Sequence, residues 1–391
     1  MKIFQLGKTR FSAHSGGGSD RVFAALMQHL PDRNTSVDGL VIGRPPADEA
    51  GPPNVVGVGD LDDGLWTRCR AVRRHVQDVL TTRTIDVLGS HFALYTAPVL
   101  DLLDDIPLVV HFHGPWALES AAEDAPWWNV HAKKVLETFV YRKAKQFIVL
   151  SAAFRDVLTD TYGIPSDRIS IVPGGVEVSR FDVDLSQHDA RRHLQLPEDR
   201  PIVLSVRRLA RRMGLENLID AWVKVQARYP NALLLVAGKG PIYDELQLRI
   251  QRLGLESHVR LLGFVPEEDL PFLYRAADLS VVPTIALEGF GLTTVESLAA
   301  GTPVLVTPVG GLPEVVRPLS ERLILQETSP AALSSGILTA LLQPEQLPSA
   351  LACQSFAETR YSWPSIAAKT RTVYEAVVKN AGNTRPQRTV Q

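Results

Sequence analysis

A glutamate- and glycine-containing segment in the second half of the chain has the residue types to hold a sugar attached to a diphosphate. Seven residues separate Glu288 from Glu296, and Gly289 and Gly291 follow the first of them. The segment comes after an apolar run that ends at Val282, and parallel sheets bind ligands beyond the carboxyl ends of their strands. Glycines let a ligand approach the backbone closely. The residues after them predict a helix, and the N-terminus of a helix suits a phosphate group. Carboxylates accept hydrogen bonds from paired hydroxyls of a sugar. The alternative is a capped surface helix with two solvated glutamates.

A cluster of arginines follows the apolar run at 202–206. It consists of Arg207, Arg208, Arg211 and Arg212. Because a guanidinium group binds phosphate through two parallel hydrogen bonds, the cluster predicts an anion site at the end of a strand. The alternative is a solvated basic loop.

A histidine directly follows the apolar run at 108–112. His113 precedes Gly114 at the predicted carboxyl end of a strand, and His111 should point to the opposite face of that strand. We interpret His113 as a functional residue and His111 as a structural one. The alternative for His113 is a hydrogen-bonded core histidine.

A glycine run, Gly16, Gly17 and Gly18, lies between the first apolar run and a helix predicted to begin near Asp20. The pattern is not Gly-x-Gly-x-x-Gly, and no acidic residue ends a clear second strand. This disfavours a dinucleotide-dependent oxidoreductase. The alternative to a functional role for the run is a flexible loop without a ligand.

Short apolar runs alternate with segments of helical periodicity along the whole chain. Such runs are typical of parallel strands that are buried on both faces, and the alternation predicts βαβ units. We therefore predict an α/β protein with two doubly wound domains. The runs cover residues 2–6, 40–42, 85–88, 108–112, 147–150, 169–172, 202–206, 232–236, 259–262, 279–282, 304–306 and 323–325.

Composition places the domain boundaries and restricts the class of partner. Residues 181–200 are polar and are predicted to link a first domain, 1–180, to a second, 201–361; residues 381–391 are expected to form a flexible tail. The chain has 391 residues, a formal net charge of −2 and two distant cysteines, so neither nucleic-acid binding nor a disulfide framework is expected. No apolar run is long enough to span a membrane, and we expect a cytoplasmic protein. The basic segment 131–146 leaves a peripheral membrane contact open as an alternative to a solvated face.

The segment from Glu288 to Glu296, together with Ala-Ala-Gly-Thr-Pro-Val at 299–304, resembles the signature of retaining glycosyltransferase family 4. The resemblance implies the GT-B fold, in which two Rossmann-like domains face each other across a cleft, with a helix at about 362–380 crossing back to the first domain. It implies catalytic roles for His113 and Glu288, and it brings Gly16, Gly17 and Gly18 near the donor phosphates and the acceptor. The donor-binding residues that it implies are Arg208, Arg212, Gly289, Phe290, Gly291, Leu292, Thr293 and Glu296.

One position departs from the family pattern. The family has an arginine, matched by Arg208, and a lysine five residues later, and together these two residues clamp the donor diphosphate. Met213 stands at the lysine position, and either Arg212 or Arg211 is a candidate substitute.

The resemblance predicts a retaining transferase that moves a sugar from a UDP- or GDP-sugar to an acceptor hydroxyl, without a metal or a cofactor. The acceptor is a saccharide, a lipid-linked sugar or a small molecule. A nucleotide-sugar epimerase or a phosphorylase on the same fold stays an alternative. A non-catalytic nucleotide-sugar-binding module is another, and Met213 favours it.

Overall fold

The chain divides into two units in the computed structural model, which describes residues 1–9, 17–43 and 54–384. The first unit contains Met1–Ala121, Pro126–Gly174 and Trp363–Gln391, and the second contains Ala122–Ala125 and Gly175–Ser362. Each unit is built around one parallel β-sheet.

The first sheet has the strand order β3-β2-β1-β4-β5-β6-β7, and every neighbouring pair is parallel. Its central strands are buried along almost their whole length, as helices on both faces require. The strands are β1 (Lys2–Thr9), β2 (Ser36–Ile42), β3 (Val55–Val58), β4 (Val87–Ser90), β5 (Leu108–Phe112), β6 (Gln146–Val149) and β7 (Ile169–Ile171).

The second sheet has the order β10-β9-β8-β11-β12 and is also parallel. Successive strands are added outward on one side from β8 to β10 and on the other side from β11 to β12, so the strand order switches between β8 and β11, which is the kind of switch point where open sheets bind ligands. The strands are β8 (Ile202–Val206), β9 (Leu233–Ala237), β10 (Val259–Gly263), β11 (Leu279–Val282) and β12 (Val304–Val306).

Helices connect the strands and cover the sheets. Short 3₁₀ turns occupy Ala97–Leu102, Ser166–Arg168, Arg211–Met213, Glu321–Leu323 and Pro344–Gln346. The α-helices are α1 (Gly18–His29), α2 (Leu65–Thr82), α3 (Ala93–Thr96), α4 (Trp116–Ala122), α5 (Trp127–Lys143), α6 (Ala152–Tyr162), α7 (Val178–Phe181), α8 (Gln187–His193), α9 (Leu215–Arg228), α10 (Tyr243–Arg252), α11 (Leu270–Ala276), α12 (Leu292–Ala299), α13 (Leu312–Val316), α14 (Pro330–Leu342), α15 (Ala350–Tyr361) and α16 (Trp363–Thr384).

One strand prediction was wrong, and one strand was missed. Residues 323–325 form the end of a 3₁₀ turn and a single bridge to Val306, because only Ile324 pairs with the edge strand while Leu323 and Leu325 pack into the core. The edge strand β3 was not predicted. Its residues are half-buried or exposed and lack the continuous burial that marks the central strands.

The polar segment 181–200 is anchored on the second unit. Ser186 caps α8 by accepting a hydrogen bond from the Asp189 N–H at 3.1 Å. Arg191 is buried and donates to the Ala276 carbonyl at 2.9 Å and to the Asp278 carboxylate at 2.7 Å. The long final helix, α16, belongs to the first unit, where Arg371 donates to the Leu30 carbonyl at 2.8 Å.

Candidate active site

A glycine-rich loop joins β11 to α12 in the second unit. Gly291 lies in the left-handed region, with φ 78°, and immediately precedes the helix. A Cβ atom there would come within 2.6 Å of Leu312, and a Cβ atom on Gly310 would overlap the carbonyl oxygen of Glu288. The Glu288 carbonyl also accepts a hydrogen bond from the Gly311 N–H at 2.9 Å. Two glycine segments therefore lock the loop in place and fix where Glu288 leaves the backbone.

Glu288 forms an ion pair with Arg207 inside this loop. The Glu288 side chain is 14% exposed and the Arg207 side chain 7% exposed. Burial alone would raise the pKa of Glu288, but the charge and the hydrogen bond of Arg207, with the charge of Arg212, lower the pKa below its ordinary value. Glu288 is therefore an ionised, oriented carboxylate at the start of α12.

Arg207 was not among the predicted site residues. Its backbone N–H donates to the Ala237 carbonyl, which extends the pairing of β8 by one residue. Strand alternation therefore turns Arg207 inward and Arg208 outward, and this parity is the signal in the sequence that could have identified Arg207. The guanidinium contacts Thr284 Oγ1 at 2.7 Å, Met213 Sδ at 2.9 Å and Thr293 Oγ1 at 3.3 Å.

The other arginines of the cluster have different surroundings. Arg212 is 11% exposed and donates to the Leu287 carbonyl at 3.0 Å, next to Glu288. Arg208 is 58% exposed at the edge of the same site, and Glu123 Oε1 lies 3.6 Å from both Arg208 Nη2 and Arg212 Nε. Arg211 instead forms ion pairs with acidic side chains on α9 and α10. Arg212 therefore reaches the loop, Arg208 lies near Glu123 as Arg212 does, and Arg211 pairs with acidic side chains of two helices.

The remaining predicted donor residues lie on α12 and the turn before it. Glu296 is buried and accepts a hydrogen bond from the Tyr274 hydroxyl at 3.1 Å. The Phe290 ring is buried against Tyr361, with ring centroids 5.5 Å apart. Phe290 can therefore offer only its backbone to a ligand. Gly289 is buried, and Leu292 and Thr293 are half-buried in the first turn of the helix.

In the first unit, His113 is the end of a buried chain of polar side chains. His113 Nε2 lies 2.9 Å from His91 Nδ1, and His91 Nε2 lies 2.9 Å from Gln5 Oε1. Gln5 Nε2 donates to the Tyr374 hydroxyl at 2.9 Å, and that hydroxyl lies 2.7 Å from His111 Nε2. Gly89 makes room for the chain, because a Cβ atom there would overlap Gln5 and Tyr374.

The hydrogen-bond partners determine the tautomers in this chain. Burial lowers the pKa of His113 to about 4, so its ring is neutral at neutral pH. A neutral imidazole has one donor nitrogen and one acceptor nitrogen. Gln5 Oε1 only accepts, so His91 carries its proton on Nε2 and accepts at Nδ1 from His113 Nε2–H. His113 therefore keeps a lone pair on Nδ1 for another donor.

The predicted phosphate loop is described only in part. Gly16 lies outside the described residues. Gly17 is extended and donates to Asp20 Oδ2 at 3.0 Å, and Gly18 begins α1. Asp20 also accepts from the Thr9 N–H at 3.3 Å, so a buried carboxylate already occupies part of this helix N-terminus.

Within residues 1–9, 17–43 and 54–384, no three His, Cys, Asp or Glu side chains are grouped in a way that could hold a metal ion. Among the helices of the same residues, none combines the length and the apolar character that crossing a membrane requires.

Comparison with protein families accounts for most of the chain. The profile of the family described as glycosyl transferases group 1 matches residues 186–357, and that of glycosyltransferase family 4 matches residues 16–180. An uncharacterized glycosyltransferase of Methanocaldococcus jannaschii is 30% identical over 259 residues, which cover 65% of each chain. The D-inositol 3-phosphate glycosyltransferase of Corynebacterium glutamicum is 29% identical over 310 residues, 76% of this chain and 73% of that protein.

A third relative matches over a shorter stretch. The mannosylfructose-phosphate synthase of Agrobacterium fabrum is 36% identical over 187 residues, 45% of this chain and 40% of that protein. The chain thus spans less than two thirds of the length of the Methanocaldococcus and Agrobacterium relatives.

Solved structures share the fold. A sucrose-phosphate synthase from Thermosynechococcus elongatus superposes with a TM-score of 0.79 at 21% identity, over 97% of this chain and 99% of that one. The HepE protein of Anabaena, in complex with UDP and glucose, superposes with a TM-score of 0.78 at 20% identity, over 96% of this chain and all of that one. The predicted GT-B fold, with two Rossmann-like parallel-sheet domains, is confirmed.

Proposed function

The chain belongs to the glycosyltransferases of group 1, of the family 4 type, and on this basis we propose that it is an enzyme that transfers a sugar from a nucleotide-sugar donor to an acceptor hydroxyl. The observation that carries the proposal is the ionised Glu288 at the N-terminal end of α12, with Arg207 paired to it and Arg212 beside it. A carboxylate next to cations and a helix N-terminus suits a sugar linked to a diphosphate.

The donor is a UDP- or GDP-sugar. The binding of UDP by the Anabaena protein of the same fold supports a nucleotide donor. Arg208, Arg212 and the N–H groups after Gly291 would stabilise the charge of the leaving diphosphate, so we propose that transfer needs no divalent metal. Glu296, on the buried face of α12, would hold the ribose hydroxyls, and Glu288 the hydroxyls of the sugar.

Transfer proceeds with retention of configuration. The bond between the anomeric carbon and the phosphate oxygen breaks, and the acceptor oxygen bonds to that carbon on the same face. The acceptor proton passes to the departing phosphate oxygen, so no carboxylate is needed as a nucleophile. Because Glu288 is neutralised by Arg207, it suits sugar binding better than attack. His113, with its lone pair on Nδ1, would accept a hydrogen bond from a sugar hydroxyl.

The acceptor is lipid-linked, and the surface of α5 supports this proposal. Trp128, Val135 and Phe139 recur at helical spacing along one face, and their side chains are 60%, 55% and 53% exposed. Trp127 is 79% exposed at the start of the helix. Exposed basic residues accompany them: Lys134, Arg142, Lys143 and Lys145. Aromatic and basic side chains together suit the interface of a membrane with anionic lipids.

A ligand screen tests the donor proposal. A ligand that binds only the folded chain raises the melting temperature. The full chain is heated with a set of UDP-, GDP- and ADP-sugars in excess EDTA. We expect at least one UDP- or GDP-sugar to raise the melting temperature, and Arg212→Ala to remove that rise.

Analysis of the products formed from a sugar nucleotide that binds separates the alternatives. A binding module would bind a donor without turnover, an epimerase would convert the donor without releasing nucleotide, and a phosphorylase would require orthophosphate. A melting temperature that no nucleotide sugar changes would contradict the proposal, and a rise that depends on added metal would contradict metal independence.

A further inference from the structure

Met213 stands where the resemblance to family 4 implies a lysine that binds the donor diphosphate. Met213 is buried in the short turn Arg211–Met213. Its sulfur lies 2.9 Å from Nη2 of Arg207, whose side chain enters the same space from the end of β8. We propose that Arg207 provides the missing cation. In this exchange, the role of binding the diphosphate passes from position 213 to position 207. The inference rests on the proposed use of a nucleotide sugar.

Side-chain lengths support the exchange. A lysine at position 213 would have its Cδ where the Met213 sulfur is, and its ammonium group two bonds further on. The Arg207 guanidinium occupies the volume adjoining that sulfur and reaches Thr284 Oγ1 at 2.7 Å and the Glu288 carboxylate. A lysine ammonium group extending from position 213 would therefore enter the space that the Arg207 guanidinium occupies.

Of the two substitutes suggested by sequence, Arg211 is engaged elsewhere, and Arg212 already belongs to the proposed diphosphate site as a separate cation. Arg211 donates to Glu245 at 2.9 Å and is 46% exposed. Arg212 donates to the Leu287 carbonyl at 3.0 Å. Arg207 is the arginine that contacts both Met213 and Glu288.

Charge explains why a diphosphate site needs this residue. Glu288 and a diphosphate are both anionic, and an unpaired carboxylate at the start of α12 would repel the ligand. Arg207 neutralises Glu288 and also reaches the first turn of α12, where its Nη1 lies 3.3 Å from Thr293 Oγ1. Its Nε–H is buried and has no hydrogen-bond partner among the described residues. The guanidinium thus contacts the first turn of α12 while it holds Glu288 in place, and it keeps one N–H donor that no described residue uses.

Binding of UDP and GDP to four full-length variants tests the exchange. Calorimetry compares the wild type with Arg207→Ala, with Arg207→Ala/Met213→Lys, with Met213→Lys and with the control Arg211→Ala. We expect Arg207→Ala to weaken binding of the better nucleotide by about tenfold or more, the loss typical of a charge-assisted hydrogen bond. Adding Met213→Lys should restore the dissociation constant to within about threefold of the wild type.

The remaining variants separate this role from a purely structural one. Met213→Lys alone should lower the melting temperature, because two cations would share one space, and Arg211→Ala should bind as the wild type does. If Arg207→Ala does not fold, the double variant alone decides: wild-type binding supports the exchange, and folding with weak binding overturns it. Unchanged binding by Arg207→Ala also overturns it. A wild type that binds neither nucleotide would instead refute the proposed donor.

Discussion

At the scale of single residues, both units contain a functional candidate whose charge state is determined by distant partners. Arg207 and Glu288 are 81 positions apart, and their pairing keeps the carboxylate ionised despite its burial. His113 depends on His91, which in turn depends on Gln5 and Tyr374. A substitution of any of these hydrogen-bonded residues should therefore alter the protonation of the histidines that remain.

The buried hydrogen-bonded histidines of the first unit predict a loss of stability in mild acid. Burial lowers the pKa values of His91, His111 and His113 below about 6.5, the value expected in the unfolded chain. Between pH 6.5 and about 4 the unfolded chain binds protons that the folded chain does not. The free energy of unfolding therefore decreases as the pH is lowered through this range. His91→Asn should reduce this slope between pH 6 and 5 by about 1.4 kcal/mol per pH unit, measured by urea unfolding.

An exposed histidine provides the control for that measurement. His131 lies on the exposed face of α5, outside the buried chain, and His131→Asn should leave the slope as it is in the wild type. The slope, rather than the absolute stability, is decisive, because His91→Asn also removes hydrogen bonds. An equal slope in the wild type and His91→Asn would contradict the account.

At the scale of elements, local pattern predicted the central strands and the loop before α12. The continuous apolar runs and the glycines at 289 and 291 are signals contained within a few neighbouring residues. The edge strand β3 and residues 323–325 could not be predicted in this way, because burial at a sheet edge depends on which other strand lies there. To identify Arg207 rather than Arg208 as the arginine that faces Glu288, one must know where the pairing of β8 ends. The hydrogen-bond partners of His113 come from distant parts of the sequence and could not be predicted from its neighbours.

The exposed face of α5 gives a prediction at the same scale. If it contacts an anionic membrane, the full chain should sediment with vesicles that contain phosphatidylglycerol and not with vesicles of phosphatidylcholine alone, and high salt should weaken binding. Trp128→Ser/Phe139→Ser should reduce the bound fraction at least about fivefold, since burial of each aromatic side chain contributes to the free energy of binding.

Another exposed tryptophan provides a matched control for α5. Trp66 on α2 is 79% exposed, so Trp66→Ser removes a comparable side chain from a different surface. It should leave vesicle binding unchanged. Equal loss in both variants, or no binding by the wild type, would contradict the role of α5 and leave the donor site unaffected.

At the scale of the whole chain, the family rests on two matching profiles, and the GT-B fold on solved structures of the same fold. The family leaves the sugar and the acceptor undetermined, because these depend on a few side chains in each unit. What the chain adds to the pattern is an ion pair, Arg207 with Glu288, beside the helix that should receive the diphosphate.

Donor turnover by Glu288→Gln is the most direct test of this account. Release of nucleoside diphosphate is measured in EDTA with the nucleotide sugar that binds best, with water or a panel of acceptors. Glu245→Gln, on the exposed surface of α10, is the control, and each variant is assayed below its own melting temperature because Glu288→Gln leaves Arg207 buried without its partner. We predict that Glu288→Gln lowers the rate by about a hundredfold or more while Glu245→Gln stays within about twofold of the wild type. Near-normal turnover by a folded Glu288→Gln would contradict it.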